Sequence, residues 1–430
     1  MSLLSDLRWR GLIHQTTHDE GMDAWLAEKP RTVYAGFDPT ASSLHVGSLM
    51  GLLMLRRFQK SGHRPIAVVG GATGMIGDPS GKSDERNLLS KEQLQENVEG
   101  LGKQMARFLD FEDQQNPALL VNNFDWTGHW TYLDFLRDIG KNFPVNVMLS
   151  KDSVKSRLGR GDDVGSAGMS YTEFSYMLLQ AYDFVHLFDK YGCELQAGGS
   201  DQWGNITAGI DLARRMRSVQ LYGLTWPLLT KTDGTKMGKT ESGAVWLDAE
   251  RTSPYQFYQY WINVDDADAG NCLRLLTELT HEEIELLDIA RVNHPDKRDS
   301  QRRLAEELTR VIHSEAGLAT AQKATEIFFG AEISDLSDAQ LTEIFTDVPS
   351  KTVARARLSD EMFTIIEALV ESGLAKSKGE ARRTVEQGGA YVNNRRITGI
   401  DTQLTADHLA SETVMVLRSG KKKYALLRFE

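Results

Sequence analysis

Two short stretches of the chain carry residue types suited to holding a polyphosphate. "DPTASSLHVGSL", residues 38–49, sets Thr40 and His45 beside Gly47 where a strand-like segment hands over to a helix-like one. Backbone N–H groups at a helix N-terminus attract phosphate. His45 and Thr40 can each donate a hydrogen bond to a phosphoryl oxygen, and Gly47, with no Cβ, lets a flat ligand lie against the first turn. "LLTKTDGTKMGKTESG" puts Lys236, Lys239 and Thr240 in a loop rich in Gly, Thr and Ser. Low apolar content predicts that this loop is mobile, and two lysines with a hydroxyl suit a departing polyphosphate. Taken singly, each stretch also fits a plainer role, a surface histidine or a hairpin of solvated lysines.

A third stretch, "EFSYMLLQAYDF", spaces Tyr176, Gln180 and Asp183 at i, i+4 and i+7. At ~100° per residue they share one narrow helical stripe. A polar stripe on an otherwise apolar helix needs a partner, and solvent faces usually carry Lys and Glu instead. "GGATGMIGDPSGKSDER" fails both familiar phosphate patterns. Its glycines, 70, 71, 74 and 77, do not space as G-x-G-x-x-G, and the first glycine of a P-loop ending in Gly81-Lys82-Ser83 falls on Ile76. A P-loop-like NTPase remains a near miss.

The elements that must position these residues follow from periodicity. "RTVYAGFD", bounded by Pro30 and Pro39, predicts a strand; Gly47 to Lys60 has helical spacing; "RPIAVVGG" reads as a short buried strand. Strand, helix, strand is a βαβ unit and implies a parallel sheet. "CELQAGGSDQWGNITAGIDLARRMR" repeats strand, Gly-rich turn and helix, with Asn205 as the expected N-cap. Helical stretches such as "TYLDFLRDIGKNF" and "SYTEFSYMLLQAYDF" lie between, so this is one α/β domain with an insertion, ending near residue 225. Further on, Ser253-Pro254 and Thr280-x-x-Glu283 read as helix starts. Periodicity weakens over 331–357, a linker signal, before a helix pair and short strands such as "AYVNN" and "TVMVL".

A chain of 430 residues predicts two or three domains, and 41% hydrophobic with 25% charged residues is a globular composition. No apolar run is long enough to cross a bilayer, and "MSLLSDLRWRGLIHQTTHDEG" has no apolar leader segment. Two distant cysteines, Cys193 and Cys272, make neither a disulfide framework nor a Cys-based zinc site, so the reducing cytoplasm is the expected compartment. Residues 351–430 hold 14 Lys and Arg against 10 Asp and Glu, while residues 1–350 hold 35 against 50. A basic tail on an acidic body fits a polyanionic partner such as nucleic acid, or a solvated surface.

In this order, "HVGS" and "KMGKT" resemble the H-I-G-H and K-M-S-K-S signatures of class I aminoacyl-tRNA synthetases. "YAGFDPTASSLHVG", "GGATGMIGDPSGK", "YMLLQAYDF", "GGSDQWGNI" and "DGTKMGKTESGAVWL" narrow the resemblance to the bacterial-type tyrosyl-tRNA synthetase family, over residues 30–260 and a similar C-terminal module. The resemblance implies an α/β fold: a doubly wound parallel-sheet (Rossmann-like) catalytic domain with a helical insertion over 1–225. A lysine-loop and α-helical domain (226–330), a linker (331–357) and a small α+β RNA-binding module (358–430) would follow. It implies a tyrosine–tRNA ligase that activates L-tyrosine with ATP, accompanied by Mg²⁺, and passes the tyrosyl group to the 3'-terminal ribose of tRNA(Tyr). A cytoplasmic homodimer with no protein-held metal is implied as well. Tryptophanyl-tRNA synthetase, with the same fold but no phenol to recognise, is the alternative within the class.

The resemblance also distributes roles. Thr40, His45, Lys82, Arg86, Lys236, Lys239 and Thr240 would act in catalysis around the phosphates, and Gly36, Asp38, Gly47, Gly199 and Asp201 would join His45 and Lys239 at ATP. Tyrosine would meet Tyr34 and Asp183 at its phenol, Asp78, Tyr176 and Gln180 at its ammonium, and Gln202 near its carboxylate. Its carboxylate is already a nucleophile, so activation needs alignment and charge stabilisation rather than a general base. Lys376, Lys378, Arg382, Arg383, Arg395 and Arg396 would meet RNA phosphates. Three residues depart from the pattern: Ser48 replaces the second His, Gly238 alters the lysine signature, and Ala35 removes an expected ribose contact.

Overall fold

A computed structural model describes residues 2–80, 90–151, 154–155, 169–240, 243–334, 336–346, 348–359 and 363–430, apart from the side chains of Lys91 and Thr240. The chain divides into two compact units, one of residues 1–251 and 264–304, the other of residues 252–263 and 305–430. Residues 226–251 and 264–304 therefore fall in the same unit as the residues before them, whereas the sequence pattern groups 226–330 as one domain. Among the described residues no helix is long and apolar enough to cross a membrane.

The first unit is built on a six-stranded sheet: β1 (Gln15–Thr16), β2 (Thr32–Phe37), β3 (Arg64–Val69), β4 (Leu119–Asn122), β5 (Cys193–Gly199) and β6 (Tyr222–Trp226). Their spatial order is β1-β6-β5-β2-β3-β4, and only the β1–β6 pair is antiparallel. From β2 the chain runs outward to β3 and β4, then returns to β5 on the other side. This reversal is the doubly wound switch point, where a crevice opens beyond the carboxyl ends of the strands. A short antiparallel hairpin of β7 (Lys239–Thr240) and β8 (Gly243–Ala244) follows the sheet.

Side-chain chemistry explains the helices that flank the sheet. The Tyr171–Tyr191 helix starts at a capping box between Ser170 and Glu173 and ends at Gly192, whose φ of 63° stops it. Its apolar face, including Met177, Ala181, Phe184 and Leu187, is buried with Tyr34 and Ile66 in the core. Thr280 and Glu283 form the expected capping box. Asn205 is not the N-cap of the Trp203–Arg217 helix. The backbone already turns at Ser200–Gln202, so Asn205 lies inside the helix, buried, where its amide donates to Gln202 Oε1 at 3.1 Å.

The second unit holds β9 (Ser350–Val353), β10 (Ala390–Val392), β11 (Arg395–Arg396), β12 (Val414–Ser419) and β13 (Lys423–Phe429) in the order β11-β10-β12-β13-β9. Ser253 caps the Pro254–Ile262 helix as expected. The stretch 331–357, read from sequence as linker, contributes the Asp338–Ile344 helix and β9, which pairs parallel to β13. Weak periodicity there reflects short elements, each burying only a few residues such as Leu341, Ile344 and Val353.

Candidate active site

The two signature stretches are stitched together by backbone. Val46 N–H donates to Val245 O at 3.0 Å, Leu247 N–H to Leu44 O at 2.9 Å, and Val245 N–H to Gly238 O at 2.9 Å. The lysine signature runs directly into the β7–β8 hairpin. Gly238 sits at φ +82°, and a Cβ there would lie 2.7 Å from Val46 Cβ. His45 folds back so that its Nδ1 accepts the Gly47 N–H at 3.0 Å. In the neutral ring Nε2 then carries the proton, a donor suited to a phosphoryl oxygen. Burial first, then the Lys239 ammonium, lower the His45 pKa and favour that neutral form. A Cβ at Gly47 would lie 2.7 Å from His45 Cε1, so this glycine makes room for the imidazole itself.

The lysine loop has anchors that its low apolar content does not reveal. Met237 is 4% exposed with its Sδ 3.4 Å from Cys272 Sγ, and the Thr232 N–H and hydroxyl both donate to Asp268 Oδ1. A single buried methionine anchors what composition reads as an unanchored loop. Lys236 and Lys239 remain exposed. The side chain of Thr240, and Lys82 and Arg86 altogether, lie outside the described residues.

Below this lies a cleft of about 320 Å³ at the switch point. Its lining brings together Tyr34, Asp78, Tyr176, Gln180, Asp183 and Gln202, the residues expected around tyrosine. Toward the phosphate signatures it is lined by Gly36, Asp38, Thr40, His45, Gly47, Gly199 and Asp201. Ser48 lines it too, whereas Ala35 is buried and offers only a methyl group.

At the floor, Asp183 accepts from Trp126 Nε1 at 2.7 Å and from Asn123 Nδ2 at 3.0 Å. Burial raises its pKa to about 7 against those two donors. The Tyr34 hydroxyl, also buried, has no hydrogen-bond partner among the described residues, and burial followed by the Asp183 charge holds its pKa well above the usual value. Asn123 Nδ2 also donates to Thr73 Oγ1, which donates to Asp38 Oδ1, while Tyr176 OH donates to Asp38 Oδ2 at 3.1 Å. At the other side Gln202 Nε2 donates to Asp78 Oδ2 at 2.7 Å, and Gln180 Nε2 to Gln202 Oε1 at 3.2 Å. Burial and the neighbouring Asp78 raise the Asp201 pKa. Asn123, Trp126, Thr73 and the buried Gln196, whose Oε1 lacks a partner among the described residues, carry no signal in the sequence pattern.

In the second unit Lys376, Lys378, Arg382, Arg383, Arg395 and Arg396 are all exposed. Lys378 pairs with Glu367 at 2.7 Å and Arg395 with Glu332 at 3.2 Å. A separate cleft of that unit is lined by Phe329, Tyr391, Arg418, Lys421 and Lys422, with Phe329 83% exposed and the Arg418 guanidinium 3.8 Å from the Tyr391 ring centre.

Fold and cleft together define a class I aminoacyl-tRNA synthetase: residues 26–330 match the family "tRNA synthetases class I (W and Y)". Residues 340–427 match "Tyrosine--tRNA ligase SYY-like C-terminal domain", and the chain belongs to the tyrosine–tRNA ligase family. It is 59% identical to a tyrosine–tRNA ligase of Rhodopirellula baltica, over 100% of this chain and 97% of that protein. With the tyrosine–tRNA ligase of Geobacillus stearothermophilus it shares 49% identity over the full length of both. Among solved structures, a C-terminally truncated mitochondrial tyrosyl-tRNA synthetase of Aspergillus nidulans superposes with a TM-score of 0.67 at 30% identity, covering 76% of this chain and 93% of that one. A tryptophanyl-tRNA synthetase of Encephalitozoon cuniculi, at 12% identity and a TM-score of 0.53 over 74% of this chain and 87% of that one, shares the fold alone.

Proposed function

We propose that this cleft is where the chain carries out tyrosine–tRNA ligation, with tyrosine seated phenol-down. The observation that supports this most strongly is the buried Tyr34 hydroxyl, without a partner among the described residues, at the floor it shares with Asp183. A substrate phenol would accept from Tyr34 and donate to Asp183. Phenylalanine would leave the buried Tyr34 hydroxyl unmet and Asp183 with only its Trp126 and Asn123 donors, a penalty of about 1–3 kcal/mol for the unmet hydroxyl. The ammonium would meet Tyr176, Asp78 and Gln180, and the carboxylate would lie toward Gln202.

The carboxylate attacks the α-phosphorus of ATP and pyrophosphate leaves; the terminal ribose hydroxyl of tRNA then takes the tyrosyl group and AMP departs. His45 Nε2–H, Thr40, Lys236 and Lys239 would stabilise charge on the phosphates. Mg²⁺ would ride on the triphosphate oxygens with its own waters and neutralise charge there. Among the described residues no three His, Cys, Asp or Glu side chains gather to hold an ion. Lys82 and Arg86 remain part of this proposal by resemblance.

The exposed arginines and the aromatic, basic cleft of the second unit suit an RNA with unstacked bases. Tyr132, Leu133 and Val145 are 64%, 75% and 60% exposed, an apolar patch suited to a second copy of the chain and hence a homodimer; sedimentation at the monomer mass would refute that. Free thiols at Cys193 and Cys272 suit the cytoplasm. The central test is ATP–pyrophosphate exchange with each of the twenty amino acids. Exchange with tyrosine alone is expected; exchange with tryptophan instead would overturn the reading.

A further inference from the structure

The lysine loop is held from a distance by a charged group that touches no part of the cleft. Arg57 lies in the last turn of the Leu49–Lys60 helix, which His45 precedes by the single turn Val46–Ser48. It is 7% exposed, and its guanidinium donates from Nη2 to the carbonyls of Leu275 and Thr277 at 3.1 and 2.8 Å. Arg10, 5% exposed, donates to Thr277 O and Leu279 O at 3.2 and 2.7 Å, and its own charge is met by Asp6. These carbonyls form and follow the C-terminus of the Asp266–Leu276 helix, the end where a helix favours positive charge. Burial and the nearby Arg10 lower the Arg57 pKa to about 10. Placing two guanidiniums together out of water is costly, and what they hold is one end of one helix.

The same helix holds the lysine loop. Asp268 in its first turn takes both Thr232 donors, and Cys272 in its middle meets Met237. The contacts close a ring: His45 turn, Leu49–Lys60 helix, Arg57, Asp266–Leu276 helix, Met237, Gly238, Val245 and back to Val46. We infer that Arg57 is a positioning residue for adenylate formation, setting the height of Lys239 over the cleft through the Asp266–Leu276 helix. The inference rests on the reading that Lys239 meets the pyrophosphate.

The test is a double-mutant cycle on the full-length chain, read by single-turnover adenylate formation at saturating tyrosine and ATP. Arg57→Lys keeps the charge, but its shorter side chain cannot bring an ammonium to the point from which Nη2 donates to both carbonyls. It is expected to slow the step about tenfold, a misplacement effect, with tyrosine affinity changed by less than about twofold. In a Lys239→Ala background the same substitution should have almost no further effect, because coupled residues are non-additive. Met237→Ala, which breaks the ring from the loop side, should give the same slowing and the same disappearance. Equal factors in both backgrounds would overturn the inference, as would a folded Arg57→Lys chain of normal rate. If Lys239→Ala alone leaves the rate intact, the lysine reading falls first and the inference with it, a distinct outcome.

Discussion

At the scale of single residues, the floor of the cleft depends on a carboxyl held near the edge of ionisation. Burial raises the Asp183 pKa to about 7 from an ordinary 3.8. A raised carboxyl favours the neutral form in the folded chain, so its contribution to stability is full below about pH 4 and is lost as pH rises through about 7. Asp183→Asn should remove that slope. Denaturant unfolding of the ligand-free protein would show the variant gaining on the parent by a few kcal/mol between pH 4 and 8. Binding works in the opposite sense: a substrate phenol donates to the ionised carboxylate, so kcat/KM for tyrosine should climb through about pH 7 and the variant should lose both the climb and discrimination against phenylalanine. Tyr176, Gln180 and Asp183 were legible in the sequence because one helix repeats them on one face. Asn123 and Trp126 were not. Their partner Asp183 lies 60 and 57 positions away, and Thr73 lies 50 from Asn123. Nothing local distinguishes such residues from ordinary loop polarity.

At the scale of elements, the strands of the βαβ halves could be read because buried β-branched runs bounded by Pro and Gly admit few other conformations. The lysine loop could not, since its order comes from Met237 and from a ladder to residues 44–46 that composition does not encode. Gly238 is where that ladder is most exposed to substitution. Gly238→Ala places a methyl group 2.7 Å from Val46 Cβ at a φ of +82°. The expected cost is about 1–3 kcal/mol of local strain, taken up by lifting the loop rather than by unfolding. Adenylate formation should slow while the thermal midpoint moves little. A large fall in midpoint with a normal rate would contradict this.

At the scale of the whole molecule, all the cleft residues belong to the first unit and the exposed arginine cluster to the second. Ending the chain near Lys351, a division the sequence suggests, would cut β9 and remove Tyr424 and Leu426 from Ile327, Leu341 and Phe345. Such a truncation confounds weaker RNA binding with an uncovered core. Replacing Arg382 and Arg383 with alanine in the full chain is the cleaner test. Pyrophosphate exchange should be unchanged and tRNA charging should fall. The salt dependence of tRNA binding should flatten by roughly one unit of log–log slope for each phosphate that either arginine had neutralised. Both activities falling together would mean that the second unit supports the first structurally.

The contact between Met237 and Cys272 gives the protein a built-in clock. The chain has two cysteines; burial pushes the Cys272 thiol up to about 12, and Cys193, the first residue of β5, is buried in the core cluster. A thiol with so little thiolate, buried against a methionine, is expected to react with an alkylating probe when that side chain withdraws. The rate of Cys272 modification thus counts openings of the lysine loop, against Cys193 as a marker of global unfolding. Cys272 should react well before Cys193, and a non-hydrolysable tyrosyl-adenylate analogue should slow the first without altering the second.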